Sequence, residues 1–464
     1  MKVEQIYTGC LSEATYFIKS NNEAAIIDPL RETDKYLEKI KSENTTLKYI
    51  FITHFHADFV SGHVDLAEKT GAQIIFGPNA KADFKFYSAV DNEVFNLGQI
   101  KIKALHTPGH TLESTCYLLI DANNCEYCVF TGDTLFIGDV GRPDLAVKSH
   151  LTQKDLAELL YHSIHDKIFP LRDETIIYPA HGAGSACGKN MSKETFDTLG
   201  NQKKVNYALN TNLNIEEFVT EVTCGLSSPP SYFPLNVKMN QSVNKSYDDI
   251  MKSGLTPLKI DDFKKLAESS IIIDCRKPID FANSHIPGSI FIGIDGGFAP
   301  WAGSVLENIN SDIILVADPD RVEEAVKRLS RVGIDNTKGF LEGGMKAWIK
   351  AGYKIDKVKS IEVSQFEKEV RGDELIIDVR NNGEYDKSHL INSHLLPLDN
   401  FSNNFINYKA NSKYYIHCQG GYRSMIACSL LKRKGIHNLI DIKGGFAAIA
   451  KDSSLKTISE LVNN

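Results

Sequence analysis

Within the first 181 residues, six side chains of types that bind metal ions stand out because each follows an apolar stretch. His54, His56 and Asp58 stand two apart in THFHAD, directly after KYIFIT. Residues two apart on an extended chain point the same way, so one loop can offer several ligands. His110 follows in TPGHT, Asp133 in FTGD and His181 in YPAHG. A lone histidine is more often a solvated or hydrogen-bonded group. Six such groups after apolar runs, several beside glycine, define a metal site instead. A second chemistry lies in HCQGGYRS at 417–424, between the strand-like KYYIH and the helical SMIACSLLKRKG. Cys418 opens a loop of Gln419, Gly420, Gly421, Tyr422, Arg423 and Ser424. Backbone N–H groups at a helix N-terminus, together with Arg423, are expected to lower the thiol pKa and stabilise a bound persulfide.

These groups need elements to hold them. Over 1–240 the strand-like runs AAIID, KYIFIT, QIIFG, IKIKALHT, CYLLI, CVFTGD and TIIYPAH repeatedly end in His or Asp. That predicts a layered α/β domain with its site at the strand ends. SSPPSYFPLNVKMNQS at 227–242, with three prolines, reads as a closing segment and linker. The C-terminal half contains an internal repeat. IIIDCR at 271–276 matches LIIDVR at 375–380, and His285 and His389 each follow the Asp by eleven residues. Arg321 and Arg423 each precede a glycine, Gly333 and Gly435, by twelve, and EGGMKAW at 342–348 parallels KGGFAAI at 443–449. Two tandem α/β domains follow, at 255–355 and 358–464, each a mostly parallel sheet covered by helices on both faces. Aligning Arg321 with Arg423 places Val316 where Cys418 stands. Valine cannot carry sulfur, and Asp318 and Asp320 would repel an anion. The first copy is therefore expected to be inactive and structural.

The whole chain fits this plan. Its 464 residues are 42% hydrophobic, 24% charged and 9% aromatic, enough for several buried cores and too apolar for a disordered chain. A net charge of −7 excludes a general nucleic-acid or membrane-surface binder, and no apolar run reaches the ~18–20 residues of a membrane span. MKVEQIYTGCLSEATYF has no basic stretch followed by an apolar core, so a cytoplasmic protein is expected. Nine thinly spread cysteines make no disulfide framework. Cys125 and Cys128 form a lone CxxC between two strand-like runs, which reads as a hairpin tip.

The HxHxDH-type, TPGHT, GD and distal His motifs, in this order over nearly all of 1–240, resemble the metallo-β-lactamase superfamily. The resemblance implies an αββα sandwich. One position departs: Phe59 stands where a histidine would help hold a second metal, so a single metal is favoured. The longer stretches THFHADFVSGH, GDVGRPDL at 138–145, YHSIHDKIF at 161–169 and YPAHGAGSACGK at 178–189 resemble the persulfide dioxygenase branch. That likeness implies one Fe(II) per chain on His54, His110 and Asp133, with His56, Asp58 and His181 surrounding it. Two His and one carboxylate are also the facial triad of non-haem iron oxygenases. Cys10 and Cys187 are candidates for sulfur relay, and Arg142 for a substrate carboxylate or for pairing with Asp144.

The repeat and the Cys418 loop resemble the rhodanese family of sulfurtransferases. Asp378, Arg380 and GGF at 444–446 match its flanking motifs, and Cys418 maps to its persulfide-carrying cysteine. Cys-dependent phosphatases place five residues between Cys and Arg, whereas here there are four, a loop better suited to one sulfur atom. The fusion implies oxidation of a low-molecular-weight thiol persulfide by O2 to sulfite, exchange with thiosulfate at Cys418, a role in sulfide detoxification and a homo-oligomer. The competing readings are a glyoxalase-II-like thioester hydrolase and a non-catalytic sulfur sensor or scaffold.

Overall fold

Strand side chains alternate between two buried environments, and that alternation builds the first half of the protein. In Glu13–Ser20, Ala14, Tyr16 and Ile18 enter one apolar cluster while Phe17 enters another. In Thr46–Phe51, Phe51 joins the first cluster and Ile50 the second. In Thr115–Ile120, Tyr117 and Leu119 face the first cluster, and Cys116 and Leu118 face a third. A period of two with both faces apolar marks strands covered on both sides.

The shared cluster is the seam between two six-stranded sheets. Helices Asp34–Ser42 and His63–Thr70 cover one sheet with Tyr36 and Leu66. Helices Gln153–His162 and Ile215–Thr223 cover the other with Ala157, Leu160, Phe218 and Val222. The result is an αββα sandwich. The first sheet runs Lys2–Thr8, Glu13–Ser20, Glu23–Ile27, Thr46–Phe51, Gln73–Phe76, Tyr87–Ser88. The second runs Asp197–Thr198, Ile176–Pro179, Glu126–Gly132, Thr115–Ile120, Ile100–His106, Val94–Leu97. Cys125 lies exposed in the tight connection between Thr115–Ile120 and Glu126–Gly132, as the hairpin reading expects.

This structure is a computed structural model and describes residues 1–147, 151–226, 228–371, 374–401, 409 and 412–459. The chain forms two compact units: 1–247 with 330–333, and 248–329 with 334–464. The stretch read as a linker differs from expectation. Ser227 lies outside the described residues, but Phe233–Asn240 is a helix of the first unit, opened by Pro234 in its first turn, where proline fits a helix. No helix among the described residues is long and apolar enough to cross a membrane.

The second unit contains both copies of the repeat, each with a five-stranded parallel sheet. The orders are Pro257–Leu258, Thr337–Leu341, Ile313–Val316, Ile271–Asp274, Ile290–Phe291 and Lys359–Ile361, Leu439–Ile442, Tyr414–His417, Leu375–Asp378, Ser393–Leu395. The repeated histidines are architectural. His285 stacks on Phe281 at 3.9 Å and His389 on Tyr385 at 3.8 Å, each with its Nδ1 on the carbonyl of that aromatic residue.

Register corrects the alignment of the two copies. Asp274 pairs with Val316 and Asp378 with His417, so Val316 corresponds to His417. The residue at the Cys418 position is therefore Ala317. The loop from there to Arg321 is one residue shorter than Cys418–Arg423, which is why aligning the arginines shifts the match. Alanine carries sulfur no better than valine.

Candidate metal centre and thiol loop

In the first unit, four strands end on the same edge and deliver the candidate ligands. His54 follows Thr46–Phe51, His110 follows Ile100–His106, Asp133 follows Glu126–Gly132 and His181 follows Ile176–Pro179. His54, His110 and Asp133 place one ligand atom each within 4.8 Å of one another, all buried. Asp133 Oδ2 is 3.7 Å from His54 Nε2 and 3.5 Å from His110 Nε2. Such separations, about 3–4 Å, are what two ligands keep across one ion with bonds near 2.0–2.2 Å.

Each imidazole is oriented from behind. His110 Nδ1 bonds the carbonyl of Arg142 at 2.9 Å, leaving Nε2 free to ligate. His54 Nδ1 meets the Thr53 hydroxyl at 3.0 Å, and that hydroxyl donates to Asp28 at 2.7 Å. Burial first, then the neighbouring His56, holds the His54 pKa well below the usual histidine range, which favours the neutral ligating form. Burial alone would raise the Asp133 carboxyl, but His181 and His54 outweigh it and hold it ionised.

Close approach is built into the loops. A Cβ on Gly141 would sit 1.9 Å from the Asp133 carbonyl and 3.0 Å from His110 Nδ1. Gly109 has φ +147°, and a Cβ there would meet Leu160 at 2.5 Å. Ser163 donates to the Pro108 carbonyl at 2.6 Å from the π-helical turn Ser163–Ile168. YHSIHDKIF therefore locks the TPGHT loop that carries His110.

His56, Asp58 and His181 form a second buried group. His181 lies between two carboxylates: Nδ1 bonds Asp133 Oδ1 at 2.7 Å and Nε2 stands 2.8 Å from Asp58 Oδ2. Burial lowers the His181 pKa, but Asp133 and Asp58 raise it further, well above the usual range. The Phe59 ring covers His56 at 4.2 Å, at the position a second metal's histidine would need. Six buried atoms here have no aligned hydrogen-bond partner: both ring nitrogens of His56, both carboxylate oxygens of Asp58, Asp133 Oδ2 and His181 Nε2. Converging orphans of this kind fit a cation.

Of the remaining candidates, Cys187 lies within the cluster of Asp133 and His181. Burial, then Asp58 and Asp133, keeps its thiol well above the usual range, so it stays protonated. Cys10 is half-buried and outside that cluster. Arg142 makes a bidentate pair with Asp144 at 2.6 and 2.7 Å. Sequence reasoning missed Asn240, whose side chain donates to the His56 and Phe59 carbonyls and accepts from Ser61 N–H, each at 2.8 Å. Its only signal was its place in the apparent linker.

In the second unit, Cys418 ends the strand Tyr414–His417, and the helix Tyr422–Arg433 begins four residues later. Gly421, at φ +99°, turns its N–H onto Cys418 Sγ at 3.0 Å, and Ser424 Oγ lies 3.7 Å from that sulfur. Arg380 pairs with Asp378 and donates to Gln419 Oε1 at 3.2 Å, bracing the loop. Arg423 differs from expectation. Its fork closes on Glu384 at 2.6 and 2.7 Å, so the direct partners of the sulfur are Gly421 and Ser424.

Residues 8–181 match the metallo-β-lactamase superfamily, and 259–351 and 362–452 each match the rhodanese-like domain. The chain belongs to the metallo-β-lactamase superfamily and carries two rhodanese-like domains in tandem after that enzyme domain. It is 30% identical over 242 residues to the mitochondrial persulfide dioxygenase ETHE1 of Bos taurus, covering 47% of this chain and 86% of the relative. It is also 30% identical over 190 residues to the probable hydroxyacylglutathione hydrolase glo2 of Schizosaccharomyces pombe, covering 40% and 69%. A solved metallo-β-lactamase from Staphylococcus aureus subsp. aureus COL is 31% identical, with a TM-score of 0.65 over 73% of this chain and 98% of that one.

Proposed function

We propose that the first unit is a persulfide dioxygenase with one Fe(II) on His54, His110 and Asp133, and that Cys418 is a sulfur carrier exchanging with thiosulfate. The observation that carries this reading is the buried two-His, one-carboxylate set of His54, His110 and Asp133, beside which Phe59 covers His56 where a second metal's histidine would stand. The reaction is RSSH + O2 + H2O → RSH + SO3²⁻ + 2H⁺. Fe(II) in such a set supplies open coordination positions and an electron to bring O2 and sulfur together. The chain's own groups do the rest. Thr53 and the Arg142 carbonyl fix the imidazoles, His181 bridges Asp133 and Asp58, and the Phe59 ring covers His56.

At Cys418, a persulfide Cys–S–SH would pass its outer sulfur to sulfite, giving thiosulfate and the free thiol. The sulfide-detoxification role follows from these two activities together. The test is O2 consumption by the Fe(II)-loaded protein with glutathione persulfide and, in parallel, the persulfides of coenzyme A, bacillithiol and cysteine. Uptake with sulfite production, lost in His110→Ala, is the expected result. No uptake with any of them at full iron occupancy would overturn it in favour of thioester hydrolysis, the reading the glo2 relative supports.

A further inference from the structure

We propose that Asp441 accepts and returns the proton of sulfur transfer at Cys418, acting through the hydroxyl of Ser424. This rests on the reading of Cys418 as a sulfur carrier. The geometry is a buried chain of three groups. Cys418 Sγ lies 3.7 Å from Ser424 Oγ, and Ser424 donates to Asp441 Oδ1 at 2.6 Å. Ser360 donates to Asp441 Oδ2 at 3.1 Å. All of Cys418, Ser424 and Asp441 are almost fully buried.

Among the described residues no cation lies within hydrogen-bond reach of Asp441, and Lys443, two residues on, places its Nζ on Glu362 at 2.6 Å. Burial pushes the Asp441 carboxyl up to about 6, against the two hydroxyls and Lys443, so it can take and give a proton near neutrality. Cys428, from the helix Tyr422–Arg433, also faces it, and burial followed by Asp441 pushes that thiol well above the usual range, so it stays protonated. Asp441 also lines a cavity of about 270 Å³ with Gly420, Gly421, Lys443 and Gly444, which gives the proton an exit toward a bound donor.

The first copy of the repeat supplies an internal comparison. Register matches Phe340 to Asp441, since Leu315 pairs with Phe340 as Ile416 pairs with Asp441. Pro257 matches Ser360 in the same way. Val322, after Arg321, matches Ser424, after Arg423. Where Ala317 replaces the thiol, all three of its polar partners are replaced as well. Had the hydroxyls and the carboxylate been there to stabilise the fold, the first copy would have had the same need for them.

The step balances. The Cys418 thiol proton moves to Ser424 Oγ as the Ser424 proton moves to Asp441. A bond forms from Cys418 Sγ to the donor's outer sulfur while the donor's S–S bond breaks. The leaving RS⁻ takes its proton from Asp441, giving Cys418–S–SH and RSH with no external oxidant.

The test is the pre-steady-state burst of sulfite from thiosulfate by the full-length protein under argon, so that O2 contributes none, as a function of pH. Alkylation of the Cys418 peptide by iodoacetamide is followed in parallel. The wild type should lose rate as pH falls through about 6 in both assays. Asp441→Asn should slow the burst about 10²-fold at neutral pH and abolish the acid limb, Ser424→Ala should do the same, and Ser424→Thr should restore both. A carboxylate acting only as a nearby negative charge would hold back the thiolate, so faster or unchanged alkylation in Asp441→Asn overturns the relay. If thiosulfate yields no sulfite while alkylation keeps its Asp441-dependent limb, the relay stands and the sulfur-carrier reading falls.

Discussion

On the one-metal reading proposed above, a phenyl ring limits how many metals the first site can hold. Phe59 stacks on His56 and faces His181 at 6.4 Å, yet Asp58, His181 and Asp133 around it still present ligand atoms. Restoring an imidazole there completes a second set, so Phe59→His should raise bound metal from one toward two per chain by elemental analysis. It should also lower O2 uptake, because a shared Asp133 would be drawn to the second ion. One metal per chain in Phe59→His would show that His181, clamped by two carboxylates, is not free to ligate. The ligands themselves were legible because each sits in a short motif after an apolar run. The groups that orient them were not. Asp28 acts on Thr53 across 25 residues and Asn240 on His56 across 184, and a hydrogen bond between distant loops leaves no local spacing to read.

At the scale of elements, the copy with Ala317 at the loop position braces the loop of the copy that has Cys418 there. Tyr422, inside the Cys418 loop, donates to the Gly293 carbonyl at 2.7 Å and meets Phe291 at 5.8 Å. A Cβ on Gly296 would lie 2.3 Å from the Tyr422 ring, so glycine is what lets that ring seat. Gly296→Ala should push the ring, and with it the Gly421 N–H held against Cys418 Sγ, out of place. Displacements near 1 Å cost about 10²-fold in rate. Sulfite release from thiosulfate should therefore fall by roughly that factor while O2 uptake at the proposed iron site is unchanged. Tyr422→Phe, which keeps the ring, should lose much less. Equal sulfur transfer in Gly296→Ala and wild type would remove the first copy from the action of the loop. Element types were well forecast where apolar runs were continuous, as in Ile271–Asp274 and Leu375–Asp378. The hairpin Lys2–Thr8 and Glu13–Ser20 was missed because its first strand is polar and only half-buried, with no apolar run to announce it. The equivalence of Ala317 with Cys418 was missed because only strand register, not arginine spacing, fixes it.

For the molecule as a whole, covalent linkage of the two proposed chemistries would set product stoichiometry. On the reading proposed above, the metal site alone would turn one persulfide and one O2 into one sulfite. If Cys418 then passes the sulfur of a second persulfide to that sulfite, the sum becomes 2RSSH + O2 + H2O → 2RSH + S2O3²⁻ + 2H⁺. The wild type should thus consume two persulfides per O2 and release thiosulfate. Cys418→Ser should consume one and release sulfite, with O2 uptake per iron unchanged. A tether matters because it holds the carrier at an effective concentration of order mM, far above the micromolar protein of an assay. Adding a His110→Ala chain, which keeps Cys418 but cannot ligate iron normally, to a Cys418→Ser chain should therefore restore only a small part of the thiosulfate at micromolar protein, and more as protein concentration rises. Full restoration at the lowest concentration would mean that sulfite diffuses freely between chains and that the fusion serves some end other than local supply. Thiosulfate from Cys418→Ser alone would place its origin in solution chemistry between sulfite and persulfide, and would leave Cys418 to exchange sulfur with a different acceptor.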